Sequence, residues 1–256
     1  MEEGTIQGSD CIHPPPLSPA QQGSRKSLPF ERYGEDANLL LLEHLCPEWT
    51  KISCPDMEPC EDCGRRPAHA NEISIAIDGT CRNNGNPHAR AAMAVFVAFY
   101  SEYNVGKVMS HPTPTSQQAE LYAGIIALEQ GIAIKKNGMQ DLMTLVIKTD
   151  SDYLYKGMTE YIFKWKDNGY RNSRGKSVTN ATLFKRMEEL TVQLEGLGVS
   201  VLFWPVPRAF NFIPDILANA ALDRTTVDDA YDEISEKNYS LGPRRCGKIK
   251  EKYDVN

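Results

Sequence analysis

The sequence predicts an α/β domain on a five-stranded mixed sheet, with three antiparallel strands first and two added strands after them. Three observations carry this. First, Ile73, Ile75 and Ile77 alternate with Ser74 and Ala76, the period of a strand. Second, residues 92–100 and 105–109 follow as two more short strands after brief turns, which predicts an antiparallel meander. Third, the rest of the chain alternates between the two periods. Leu121, Ile125, Leu128 and Ile132 recur at helical spacing, and residues 142–149 are rich in β-branched and aliphatic side chains. Helical segments follow to about Gly169, then a polar loop. Leu183, Met187, Leu190 and Leu194 mark another amphipathic helix, residues 199–204 a fifth strand, and residues 214–223 a helix whose Pro214 suits a first turn. The order is β-β-β-α-β-α-α-α-β-α, with helices flanking the sheet.

The flanks read differently. Residues 1–70 are expected to be a largely disordered or irregular extension. Pro14, Pro15, Pro16 and Pro19 lie among Ser, Gln and Gly, and such a stretch buries little apolar surface. Within it, Leu39 to Leu42 with Leu45 could form a short helix packed on the main domain, which is expected to span residues 71–225. Residues 226–256 are expected to be a charged tail. No apolar run reaches the roughly 18 residues of a membrane helix, and the Met-Glu-Glu-Gly-Thr start lacks the basic and apolar parts of a secretory signal. Seven scattered cysteines favour reduced thiols, so an intracellular location is expected, nucleus and cytoplasm being equally open. A net charge of −6 speaks against long-range attraction to nucleic acid. Locally the balance reverses: from Lys164 to Arg186 there are seven basic residues and one acid, Asp167, with Trp165 and Tyr170 interleaved. A basic, aromatic stretch suits a nucleic-acid backbone.

Four carboxylates stand where strands end and helices begin. Asp78 is read as ending the first strand and Asp150 as ending the fourth. Glu120 and Asp215 are read as lying in the first turns of two helices. Singly, each has an ordinary explanation, as a turn residue or as a complement to the helix dipole. Together at one rim of a sheet they would repel one another unless a cation bound them. Magnesium takes hard oxygen ligands.

The motifs around these acids resemble type 1 ribonuclease H of the cellular, eukaryotic type. Ile77-Asp78-Gly79-Thr80-Cys81-Arg82-Asn83-Asn84-Gly85 resembles that family's opening signature, Gln117-Gln118-Ala119-Glu120-Leu121 its helix motif, and Thr149-Asp150-Ser151-Asp152 its third motif. Residues 157–170 and 175–180 resemble its DNA-handling region and protrusion. Asn211-Phe212-Ile213-Pro214-Asp215 resembles its last motif. The resemblance spans about residues 72–224. It implies a ribonuclease H-like fold and an endoribonuclease that hydrolyses the RNA strand of RNA–DNA hybrids. It further implies two Mg2+ or Mn2+ ions held by Asp78, Glu120, Asp150 and Asp215. By the same resemblance Asn84 and Gln117 would contact RNA 2′-hydroxyls, Tyr161 and Trp165 the DNA sugar–phosphate track, and Thr115 and Asn180 a DNA phosphate. A side-chain amide both donates and accepts, which matches a 2′-hydroxyl. No membrane association or obligate protein partner is implied.

The sequence also departs from the family. The family commonly carries a Gly-His-Ser-Gly-type loop before its last helix. Here residues 205–211 replace it, shorter and without His, and none of His13, His44, His69, His88 and His111 aligns to it. Arg208 is the residue of this loop that could reach a phosphate. Thr113 stands where the family's phosphate pocket has Arg. Slower turnover and weaker hybrid affinity are expected. The competing expectation is a catalytically weakened module of the same fold that binds hybrid or duplex. Cys54, Cys60, Cys63 and His69 include one zinc half-site, Cys-x2-Cys, but lack the usual partner pair. Loop cysteines without zinc are the expectation.

Overall fold

The computed structural model describes residues 24–224. The expectations for residues 1–23 and for the tail from 225 on lie outside the described residues. The strands are β1 (Glu43–Leu45), β2 (Thr50–Ser53), β3 (Ala68–Arg82), β4 (Arg90–Phe96), β5 (Val105–Val108), β6 (Thr144–Thr149) and β7 (Ser200–Pro205). The helices are α1 (Pro29–Tyr33), α2 (Ser116–Ala133), α3 (Asp152–Lys156), α4 (Ile162–Asp167), α5 (Ala181–Gly196) and α6 (Phe212–Asp223). Among the described residues, no helix is long and apolar enough to cross a membrane.

β3, β4 and β5 form the expected antiparallel meander, and β6 and β7 join in parallel on the other edge of β3. The sheet has seven strands rather than five. β2 runs antiparallel along the N-terminal half of β3, pairing Thr50 with Ser74, and β1 pairs with β2. β2 therefore continues the line of β4, and the Thr50 N–H donates to Val97 O at 3.0 Å. Thr-Lys-Ile-Ser carries one strong apolar residue, so its pattern reads as polar chain. All four residues are nonetheless buried, between β1 and β3 in the sheet.

The extension is thus ordered from Ser24 onward, which corrects the expectation of irregular chain for that part. Residues 25–27 exchange backbone hydrogen bonds with Phe203, so they line the outer edge of β7. The short helix expected over Leu39 to Leu42 is a single 3₁₀ turn (Leu39–Leu41). Leu42 is buried, and Leu45 belongs to β1.

The alternation along each strand sorts side chains into two layers. Ile73, Ile75, Ile77, Leu145, Ile147, Val201 and Phe203 face α2 and α5, against Leu121, Leu128, Phe184, Leu190 and Leu194. The opposite face is divided. Ala76, Ala94 and Phe96 meet Ile216, Leu217 and Ala218 of α6. Val146, Leu202 and Trp204 meet Leu42 and Ile52 of the extension. β6 lies between two parallel neighbours and is buried along its whole length, which is why its centre, Leu145-Val146-Ile147, is apolar on both faces rather than alternating.

α2 starts cleanly. The Thr115 hydroxyl accepts from the Gln118 N–H, and the Gln118 side chain accepts from the Thr115 N–H, a reciprocal capping box. Between α3 and α4 the chain forms one wide π turn (Gly157–Tyr161), in which the Ile162 N–H reaches Gly157 O. Such turns recur at functional positions in helices.

Candidate active site

Three of the four carboxylates meet at one rim of the sheet. β3 and β6 are parallel neighbours in the register Ala76↔Lys148, so Asp78 and Asp150 lie at the same height two residues further on. Asp150 follows the last residue of β6, as expected. Asp78 does not end its strand: β3 continues to Arg82, and Asp78 pairs with Ala94 of β4. Glu120 sits just past the first turn of α2, whose first turn holds no acid. The dipole explanation for it is thereby weakened. Gly79 brings strand and helix together, since a Cβ built there would stand 2.2 Å from the Glu120 backbone nitrogen. Each of Asp78, Glu120 and Asp150 offers an oxygen within 4.8 Å of the others.

These acids are crowded, with Asp78 buried and Glu120 and Asp150 partly buried. Burial, then the Asp150 and Asp215 charges, push the Asp78 carboxyl up to about 7, and Arg208 and the Gly79 N–H oppose the shift. Burial, then Asp78 and Asp150, hold the Glu120 carboxyl well above the usual range. Glu120 Oε2 is buried without a hydrogen-bond partner among the described residues. An oxygen of this kind is costly to bury, and a hard divalent cation would satisfy it. The donor set therefore fits Mg2+ or Mn2+.

Asp215 lies in the first turn of α6, as expected, but is not one of the three clustered acids. Its Oδ1 accepts from Arg208 Nη2 at 2.7 Å. Arg208, the loop residue that could reach a phosphate, sits beside the acids, paired with the fourth of them. Asn211, four residues before Asp215, is buried. Its Nδ2 donates to Ile77 O at 2.8 Å and to Asp150 Oδ1 at 3.0 Å, which ties β3 to the Asp150 carboxylate. The motif drew attention to Asn211, but pairing across 61 positions of sequence left no local signal of which acid it would hold.

Of the residues expected to touch nucleic acid, Asn84, Thr115 and Gln117 lie at the start of α2, the helix that carries Glu120, while Tyr161, Trp165 and Asn180 lie around α4 and the start of α5. Asn84 Nδ2 donates to Ser116 Oγ at 3.2 Å, beside exposed Gln117. Thr115 is the N-cap of α2. Tyr161 is exposed, and its ring centroid stands 5.5 Å from that of Trp165, which also packs edge-on against Phe184 at 5.0 Å. The helical pair is thus half core and half surface. Asn180 adopts a left-handed conformation (φ 58°) before α5, and the preceding Thr179 carbonyl accepts from Tyr153 Oη at 2.9 Å. Between α4 and α5 the loop doubles back: the Asn172 N–H donates to Lys176 O, and the Val178 N–H to Tyr170 O. Arg174 and Lys176 are exposed on it. The basic run is partly spent internally, because Lys166 pairs with Glu188 and Arg186 with Glu129.

Cys54, Cys60, Cys63 and His69 are not drawn, among the described residues, into a ligand-spaced cluster like that of the acids. His69 lies on β3 with Nε2 3.6 Å from Glu72.

A mixed sheet of this order, with helices on both faces and acids gathered at one rim, is the ribonuclease H fold. The RNase H family profile matches residues 70–197, half of the chain, and the chain belongs to that family. It is 32% identical over 158 residues to Ribonuclease H1 of Rattus norvegicus, covering 62% of this chain and 50% of the relative. With Ribonuclease H1 of Homo sapiens it shares 31% identity over the same length and shares. The chain thus matches about half the length of these curated relatives. Among solved structures, RNase H1 of Halobacterium salinarum NRC-1 aligns at 25% identity with a TM-score of 0.39, covering 60% of this chain and 99% of that one.

Proposed function

We propose that this protein is an endoribonuclease that hydrolyses the RNA strand of RNA–DNA hybrids. The carrying observation is the trio Asp78, Glu120 and Asp150, three carboxylates with ligand atoms within 4.8 Å and one buried oxygen lacking a partner. With Asp215 they would hold two Mg2+ or Mn2+ ions. Bound there, such ions supply an activated water and charge stabilisation at the leaving oxygen.

The chain's own residues supply the rest. Asn211 orients Asp150 through its amide. Gly79 keeps α2 close enough for Glu120 to share the site. Asn84 and Gln117 present amides for a 2′-hydroxyl, the group that separates RNA from DNA. The Thr115 oxygen accepts from Gln118 N, so its own hydrogen is left to donate to a phosphate oxygen. Asn180 would help hold a DNA phosphate, and Tyr161 with Trp165 would give an aromatic track for the DNA sugars.

A second reading is a hybrid- or duplex-binding module with weakened chemistry. It is favoured by the loop at residues 205–211, where no His stands near the acids. One assay separates the two: a labelled RNA–DNA hybrid with Mg2+ or Mn2+, using the parent chain and the Asp78→Asn and Asp150→Asn variants. Cleavage by the parent that both substitutions abolish supports the enzyme. Binding without cleavage in either metal supports the module.

A further inference from the structure

The fourth acid differs from the other three in having a cation already on it. Arg208 Nη2 lies 2.7 Å from Asp215 Oδ1. The loop that presents this arginine is anchored at both ends. The Val206 N–H donates to Thr149 O at 2.9 Å, and Val206 is buried. Beyond the short 3₁₀ turn (Arg208–Phe210), Phe210 packs against the Trp204 cluster, and Asn211 is bonded to Ile77 and Asp150. The Arg208 backbone is therefore held in place, while its side chain is 75% exposed. Such a group can stay on Asp215 or swing to solvent without disturbing the fold.

We propose that Arg208 is an internal competitor for the cation at Asp215, so that the trio takes a divalent ion first and Asp215 joins only when Arg208 lets go. This rests on the reading of the four acids as a metal centre. The two components of that centre would then differ in affinity for a reason visible in the chain: the trio faces no such guanidinium bond, and the fourth acid does. An ion pair this exposed is weak, so the competition is modest and reversible.

The test is a titration of the full chain with Mg2+ alone, followed by the NMR backbone amide signals of Asp78, Gly79 and Asp215. In the parent, the signals of Asp78 and Gly79 are expected to respond at lower Mg2+ than that of Asp215. Arg208→Gln should lower the Asp215 midpoint about two- to five-fold, the scale of one exposed ion pair. Arg208→Lys, which keeps the charge without the guanidinium fork, should fall between. In an Asp215→Asn background, Arg208→Gln should move the Asp78 and Gly79 midpoint by less than it moves the Asp215 midpoint in the parent, since only the through-space charge of Arg208 on Asp78 and Glu120 is then removed. An Asp215 midpoint unmoved by Arg208→Gln overturns the inference. So does a tightening of the trio in the Asp215→Asn background as large as that of Asp215 in the parent, since the whole effect would then be charge acting through space. If no signal responds to Mg2+ in any variant, the metal-centre reading itself fails and the inference with it.

Discussion

Glu72 and Asp78 are two buried carboxylates on the same strand, β3, and their even spacing puts them on the same face of the sheet. Their surroundings are opposite. Glu72 accepts from both Arg32 Nη1 and Nη2, at 2.7 and 3.1 Å, a two-pronged pair supplied by the extension. Asp78 has carboxylates for its nearest charges, and its carboxyl is pushed up to about 7 by burial and by Asp150 and Asp215. A buried charge that the chain pairs for itself belongs to the fold. A buried charge the chain crowds with others of its sign has been left for something from outside. The same contrast holds nearby. Lys148, also buried, meets Glu43 of β1 at 2.5 Å, and Ser74 donates to Glu43 at 2.8 Å. The extension thus supplies partners to the polar half of this face and stops short of the acids.

That contrast can be broken most directly at Asp78. Asp78→Asn is expected to lower hybrid cleavage about 10³-fold or more while leaving the melting temperature unchanged or higher. A large loss of stability in that variant would mean that Asp78 is structural in the way Glu72 is. Gly79→Ala should come next. The new methyl would press on the Glu120 backbone, costing about 2–3 kcal/mol in chemical denaturation and cutting Mg2+ binding with it. Unchanged Mg2+ affinity there would show that the close approach does not set the trio. Arg32→Ala should cost about 2–3 kcal/mol by leaving buried Glu72 without its guanidinium and with only His69 beside it, with cleavage per folded molecule retained. The paired replacement Arg32→Met with Glu72→Leu should recover most of that stability, whereas failure to recover would point to packing rather than charge.

The contrast also has a signature in pH. The Asp78 carboxyl binds its proton more tightly in the folded chain than in the unfolded one. Metal-free protein should therefore lose stability as pH rises from near 4 through about 7. Asp78→Asn should flatten that slope, and added Mg2+ should oppose it. A metal-free stability that rises steadily over the same range, in the parent as in the variant, would remove Asp78 as its source.

Much of this was legible in order and little of it in depth. The 2.0 and 3.6 periods located the meander, the long helix and the two added strands, because each element has one face in a continuous apolar core. The extension was misread for a physical reason. Thr50-Lys51-Ile52-Ser53 has no apolar alternation, and its burial depends on Thr50 bonding Val97 and on a sheet edge formed more than twenty positions later. Leu39 to Leu45 looked helical because leucines cluster there. Their partners Val146, Leu202 and Trp204 lie far along the chain and favour a turn and a strand instead.

By itself, then, the sequence determined the α/β class and the succession of elements in the main domain, and it singled out four acids as candidates, since these follow from local periodicity and from ordered motifs. Only the tertiary structure decided how those acids divide. Parallel pairing of β3 with β6 and the bare backbone of Gly79 bring Asp78, Glu120 and Asp150 together. An anchored seven-residue loop puts Arg208 on Asp215. Charge compensation depends on distances across the fold, and no local pattern of residues carries those.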